Sequence, residues 1–215
     1  MNKPPRKHVV IAGTGRAGTT FLVQLLTNLK LDTGFTTETM RDRMDEIARA
    51  GLENDVRKES APYIVKSPYF FEIAHEVVSR SDIILEHVFI PVRDLHAAAE
   101  SRRYVTQDAV ARMPFFKRLK NTIKPPKRAG GLVHSRLPWR QEKILLVRFY
   151  DLILALSEGQ IAVTLLQYPK LVKDSAYLYE KLKPVLRTIS YEEFASAFNQ
   201  TVRPELVHDF SKKHP

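Results

Sequence analysis

The chain reads as an α/β protein in three layers, with a central, mainly parallel sheet of about five strands flanked by helices. Two features lead to that class. Short apolar runs rich in Val and Ile alternate with segments of helical period through most of the 215 residues. The first of those runs also passes through a Gly-rich loop directly into a helix-like segment.

The elements follow in order. His8-Val9-Val10-Ile11-Ala12 is a compact β-branched run and predicts a buried strand. It ends in Gly13-Thr14-Gly15-Arg16-Ala17-Gly18, after which Phe21, Leu22, Leu25, Leu26 and Leu29 recur at helical spacing and predict a helix over 18–30. A second helix is expected near 39–50, a short strand at Tyr63-Ile64-Val65 and a helix near 69–79. The long run Ile83 to Val92 predicts another central strand, and Ala97-Ala98-Ala99 begins the helix after it. Ile144 to Val147 and Ile161 to Leu166 read as two more strands, with helices near 151–158, 174–186 and 191–199. There is no internal repeat, and 1–215 reads as one domain. Residues 121–143 hold three prolines, the Gly130-Gly131 pair and six Lys or Arg without a period, which predicts an exposed basic loop or lid.

Composition narrows the function classes. At 44% hydrophobic and 27% charged residues the chain is ordinary globular material, not a disordered one. With no cysteine there are no disulfides, thiolate metal sites or cysteine nucleophiles. The seven histidines lack the paired spacing of a zinc site, so no metal is expected. No apolar run approaches the ~20 residues of a membrane span. The apolar stretch after the basic, Pro-containing start is too short for a signal sequence, so a cytoplasmic location is expected. The formal charge of +10, from 34 Lys and Arg against 24 Asp and Glu, favours anionic partners.

The loop says which kind of anion. Strand, Gly-rich loop and helix together hold phosphate, because loop N–H groups converge on the anion and the helix start adds partial positive charge. The spacing over Gly13 to Thr20 is that of a nucleotide-binding P-loop, G-x-x-x-x-G-x-[ST], but Thr19 stands where that motif places lysine. Arg16 supplies a cation three positions earlier.

Arg16-Ala17-Gly18-Thr19-Thr20-Phe21 resembles the 5′-phosphosulfate loop, [KR]-S-G-T-T-[FWL], of the sulfotransferases that use 3′-phosphoadenosine 5′-phosphosulfate (PAPS). A second segment resembles the same family. Its 3′-phosphate motif sets an arginine at a strand end and a serine eight positions later in the next helix, as Arg93 and Ser101 stand here. Val147-Arg148-Phe149-Tyr150-Asp151-Leu152 looks like a third, strand-terminal segment whose aromatic residue approaches the adenine; Phe149 takes that place, and core packing explains it equally well. The resemblance, to a bacterial-type cytoplasmic member, covers about residues 8–155.

The resemblance implies a P-loop fold, PAPS as cosubstrate, 3′,5′-ADP as product and no required metal. It implies that Gly15, Arg16, Ala17, Gly18, Thr19 and Thr20 hold the 5′-phosphosulfate, that Arg93 and Ser101 hold the 3′-phosphate, and that Phe149 meets the base. It also implies that Arg16 stabilises the leaving oxygen and that Lys66, in Val65-Lys66-Ser67-Pro68, assists from a strand end. One branch of the family uses a histidine two positions after such a lysine, where this chain has Pro68. Another uses a glutamate after the first helix, which maps onto Glu38, 22 residues after Arg16. Glu38 fits two roles: a general base, or a helix-start residue favoured by the macrodipole. His96 is the reserve base. The acceptor implied is a hydroxyl or amine on a saccharide, glycolipid or small metabolite.

Two rival readings stand beside this one. A P-loop kinase would use ATP and Mg²⁺, and the Thr at the lysine position counts against it. A non-catalytic nucleic-acid binder rests on charge alone and ranks last, because no aromatics interleave with the basic loop apart from Trp139 near Pro138.

Overall fold

The computed structural model describes residues 3–45, 50–111, 135 and 137–206. The expected basic loop over 121–143, with Lys124, Lys127 and Arg128, lies outside the described residues up to 134 and at 136; from Pro138 to Arg140 the chain makes a 3₁₀ turn.

Four strands form the main sheet in the order β4-β1-β5-β6, all parallel: β1 is Arg6–Ile11, β4 Ile64–Lys66, β5 Ile83–Val92 and β6 Val163–Gln167. Two short strands, β2 at Met44–Asp45 and β3 at Ala50–Gly51, pair antiparallel apart from it. The helices are α1 (Thr19–Asn28), α2 (Thr37–Asp42), α3 (Ala74–Val78), α4 (Leu95–Ala111), α5 (Gln141–Glu158), α6 (Ser175–Leu186) and α7 (Tyr191–Thr201).

Successive residues of β1 point to opposite faces, so both faces of the sheet carry core. Val9 and Ile11 join a cluster with Leu22 and Leu26 of α1, Leu182 of α6 and Phe194 of α7. Val10 and Ala12 join another with Val77 of α3, Ala98 of α4 and Leu152 of α5. Helix layers on both faces follow from that alternation.

Three expectations are corrected. Ile144 to Val147 is not a strand but the second turn of α5, so the main sheet has four strands among the described residues rather than about five. A run of four apolar residues cannot be told from a helix segment by period alone; Leu145, Leu152 and Leu156, seven and four residues apart, bury one helical face and settle the matter. The expected helix over 39–50 is a six-residue α2 followed by β2 and β3. The helix over 69–79 is a 3₁₀ turn, Phe70–Glu72, leading into the five residues of α3.

Candidate functional site

Because β1, β4 and β5 are parallel, their C-terminal ends lie on one side of the sheet. Ile11 is level with Lys66 on β4 and with Phe89 on β5. The chain leaves β1 into the loop 12–18, whose shape depends on left-handed backbone at Gly13, Gly15, Arg16 and Gly18. At Gly15 the φ of 70° is what calls for glycine, since a Cβ there would meet Arg102 Nη2 at 3.4 Å and Pro68 Cβ at 3.6 Å, ordinary contact distances. Arg16 holds φ 60° with a full side chain, a conformation that costs an L-residue about 1–2 kcal/mol. Helix α1 starts from Gly18, which offers no side-chain cap, and carries no acid in its first turn. Its terminal N–H groups and the positive end of its dipole are therefore directed at whatever anion occupies the loop.

Cationic side chains converge on this loop from three elements. Lys66, at the end of β4, is 2% exposed and donates to Thr20 Oγ1 at 2.9 Å, to Glu53 Oε1 at 2.9 Å and to the Gly51 carbonyl. Burial holds its pKa below the usual lysine value, Glu53 pulls it back up, and Arg16 lowers it further. Arg93, just past β5, donates to the Arg16 carbonyl at 3.2 Å and stacks over the Tyr168 ring at 4.7 Å. From α4, Ser101 is buried and accepts from Arg16 Nε at 3.4 Å. The next residue, Arg102, is 3% exposed and donates to the Gly15 carbonyl at 3.4 Å. Burial, and to a lesser degree Arg16, push the Arg102 guanidinium down to about 10 against the opposing pull of Tyr69.

The loop, Arg16, Lys66, Arg93 and Ser101 thus form one continuous cluster, although Arg16 and Ser101 are 85 positions apart in the chain. Ala17 and Thr19 are buried at its base. The other expected residues lie differently. Phe149 is half-buried in the middle of α5 and packs against the core cluster of the α3–α5 face; the strand end expected for it does not exist, because its segment is helical. Glu38 is exposed in the first turn of α2, where Thr36 and Thr39 make a reciprocal capping box. His96 is held by Glu142 of α5, its Nδ1 2.7 Å from Oε1.

Sequence reasoning missed three residues beside the loop. Arg102 adjoins Ser101, yet nothing in a single sequence marks an arginine as buried. Glu53, the ion partner of Lys66, sits in a polar stretch with no motif. Tyr168, just past β6, lies under Arg93, and a Cβ on Gly18 would be 3.5 Å from its ring; an aromatic after a predicted strand end was the only available signal. Among the described residues no three His, Asp or Glu side chains are grouped to hold a metal ion. No helix there is long and apolar enough to cross a membrane. Compared with known proteins, the chain matches no family model and no curated sequence.

Proposed function

We propose that this protein transfers a sulfonate group from PAPS to a hydroxyl or amino acceptor, releasing 3′,5′-ADP. The observation that supports it most is the cluster itself: Arg16, Lys66, Arg93 and Arg102 meet at an uncapped helix start, with Ser101 among them. Guanidinium, ammonium, hydroxyl and backbone N–H groups are the donors that phosphate and sulfonate oxygens take. The cluster has two sides joined by Arg16, which suits a nucleotide with two separate anionic groups. On one side Lys66 reaches Thr20 from β4; on the other Arg93 reaches the Arg16 carbonyl from the end of β5.

In this reading Arg93 and Ser101 bind the 3′-phosphate, and the loop from Gly15 to Thr20 binds the 5′ end. When bound, PAPS supplies the sulfonate that passes to the acceptor. Arg16 and Lys66 lower the energy of the charge that develops on the departing oxygen, a contribution strongest in the transition state. Lys66 acts there through its charge, because its three N–H groups are taken by Thr20, Gly51 and Glu53. The base for the acceptor's proton is Glu38, exposed at the start of α2, a role it takes from the resemblance. Tyr168 offers a ring next to Gly18 and Arg93, the place where a base could stack.

One observation favours a second reading. Lys66 brings an ammonium to Thr20 from a neighbouring strand, so the loop does not lack a lysine although Thr19 occupies the usual position. That arrangement also fits a P-loop kinase using ATP and Mg²⁺. Calorimetric titration with 3′,5′-ADP, ADP, and ATP with Mg²⁺ separates the two. Tight binding of 3′,5′-ADP alone is expected; preference for ATP would overturn the sulfotransferase reading and leave the kinase.

A further inference from the structure

Helix α5 has two apolar faces. One, with Leu145, Leu152 and Leu156, is buried against the sheet side of the molecule. The other carries Leu146, Tyr150 and Leu154, spaced four apart so that they line one side of the helix, with Val147 beside them. All four are exposed, Leu146 to 56% and Tyr150 to 67%, and Trp139, in the turn that leads into α5, is 72% exposed. A helix that only covers a core has one apolar stripe and a polar back; a second apolar stripe, contiguous and exposed, marks a surface that meets something else.

The charges around the stripe say what. Arg140 and Lys143, both exposed, stand at its N-terminal end. The acids that border it are engaged sideways: Glu142 with His96 at 2.7 Å, Asp151 with Arg148 at 3.4 Å and, at the far end, Glu158 with His75 at 3.5 Å. The stripe is therefore apolar and aromatic along its length and cationic at one end, on a chain of net charge +10. Trp and Tyr carry an apolar ring with a polar tip and settle at the headgroup level of a bilayer, and Lys and Arg pair with anionic headgroups there. A second copy of this chain would instead bring two strongly cationic bodies together.

We infer that the exposed face of α5, with Trp139, Arg140 and Lys143, docks on an anionic phospholipid surface, the helix lying in the interface rather than crossing it. The docking is independent of the chemistry assigned to the loop. It has a geometric consequence for it, however: the cationic end of the stripe is joined to the start of α4 by the His96–Glu142 hydrogen bond, and Arg93 lies three residues before His96. The docked surface thus runs beside the α4 end of the cationic cluster.

Flotation of the full chain with vesicles tests this. Equimolar phosphatidylcholine and phosphatidylglycerol vesicles are compared with phosphatidylcholine alone, for the wild type, Leu146→Gln/Tyr150→Gln and Arg140→Gln/Lys143→Gln. These side chains are exposed, so thermal melts of both variants should overlay the wild type and exclude misfolding. The wild type is expected to float with the anionic vesicles and hardly with the neutral ones. The apolar-face variant should lose at least about tenfold in partitioning, and the charge variant about tenfold to thirtyfold, at about 1 kcal/mol for each basic residue near the surface. Absence of flotation by the wild type overturns the inference. So does full binding by Leu146→Gln/Tyr150→Gln, which leaves the net charge unchanged and would reduce the effect to diffuse charge. Sedimentation of the same samples gives the third overturning result: a wild-type dimer that the apolar-face variant dissociates would assign the stripe to a second copy.

Discussion

Replacing Lys66 by Met removes the one ammonium that is nearly sealed inside the cluster while keeping the length and apolar stem of the side chain. Three bonds go with it, to Thr20 Oγ1, Glu53 Oε1 and the Gly51 carbonyl. Bonds to a charged group contribute about 1.5–3 kcal/mol each, but burying the cation costs several kcal/mol, so the balance is small. The Glu53 side chain is 42% exposed, and water takes over its half of the pair, which discounts that share further. A net loss of about 1–2 kcal/mol is expected, about 2–8 °C in Tm for a chain of this size. The dependence on pH is more diagnostic. The folded pKa of Lys66 lies below 10.5, so the unfolded chain holds this proton more tightly. The cost of the buried charge is present in full below the lowered folded pKa and disappears as pH rises from there to 10.5. In the Met variant that rise is absent. Urea unfolding followed by circular dichroism, from neutral pH to 10.5, should show the wild type gaining on the variant as pH increases. A difference that stays flat or shrinks across that range would refute a buried ammonium at this site. Glu53→Gln removes the charge that raises the lysine's pKa and should widen the window.

Arg16→Ala should reduce turnover more than it reduces 3′,5′-ADP binding; Ala and Arg bear the same left-handed cost at φ 60°, so the change isolates the side chain. Unchanged maximal rate with lost affinity would make Arg16 a simple anchor. Arg93→Ala and Ser101→Ala should each weaken 3′,5′-ADP about tenfold to a hundredfold while sparing 5′-AMP, the equivalent of about 1.5–3 kcal/mol per bond to a charged group; equal losses for both nucleotides would point to another site. Glu38→Gln should lower turnover by ~10²–10⁴ and remove the acidic limb of the pH–rate profile, with Tm nearly unmoved. Normal turnover with a loss under about 1 kcal/mol would leave Glu38 as a helix-start residue of α2 and turn attention to Glu53 and His96. Gly18→Ala puts a Cβ 3.0 Å from Leu171 Cδ1 at φ 91°, and should cost about 1–2 kcal/mol in urea unfolding.

The α/β class and the placement of the loop were legible because both rest on local signals. Val9 to Ala12 is β-branched and apolar, glycines mark a left-handed loop, and Leu22, Leu25, Leu26 and Leu29 repeat at helical spacing; each pattern is read within a dozen residues. The approach of Arg93 and Ser101 to Arg16 was expected only through the resemblance. It is the parallel pairing of β1 with β5 that brings them to the same end of the sheet. Where several local readings were possible, tertiary packing chose. Ile144 to Val147 has the apolar content of a strand, and burial of Leu145 with Leu152 and Leu156 made it helix, carrying Phe149 into the core face of α5. Arg102 and Glu53 joined the cluster for the same kind of reason. A buried arginine held by the Gly15 carbonyl and a carboxylate paired with Lys66 are defined by neighbours 87 and 13 residues away, and composition or period at their own positions carries no trace of them. The sequence by itself determined strand, loop and helix from β1 through α1, where apolar pattern and glycines agree within a few positions. Which charges share a dielectric, and so which of them can hold an anion, was decided only when the chain closed around them.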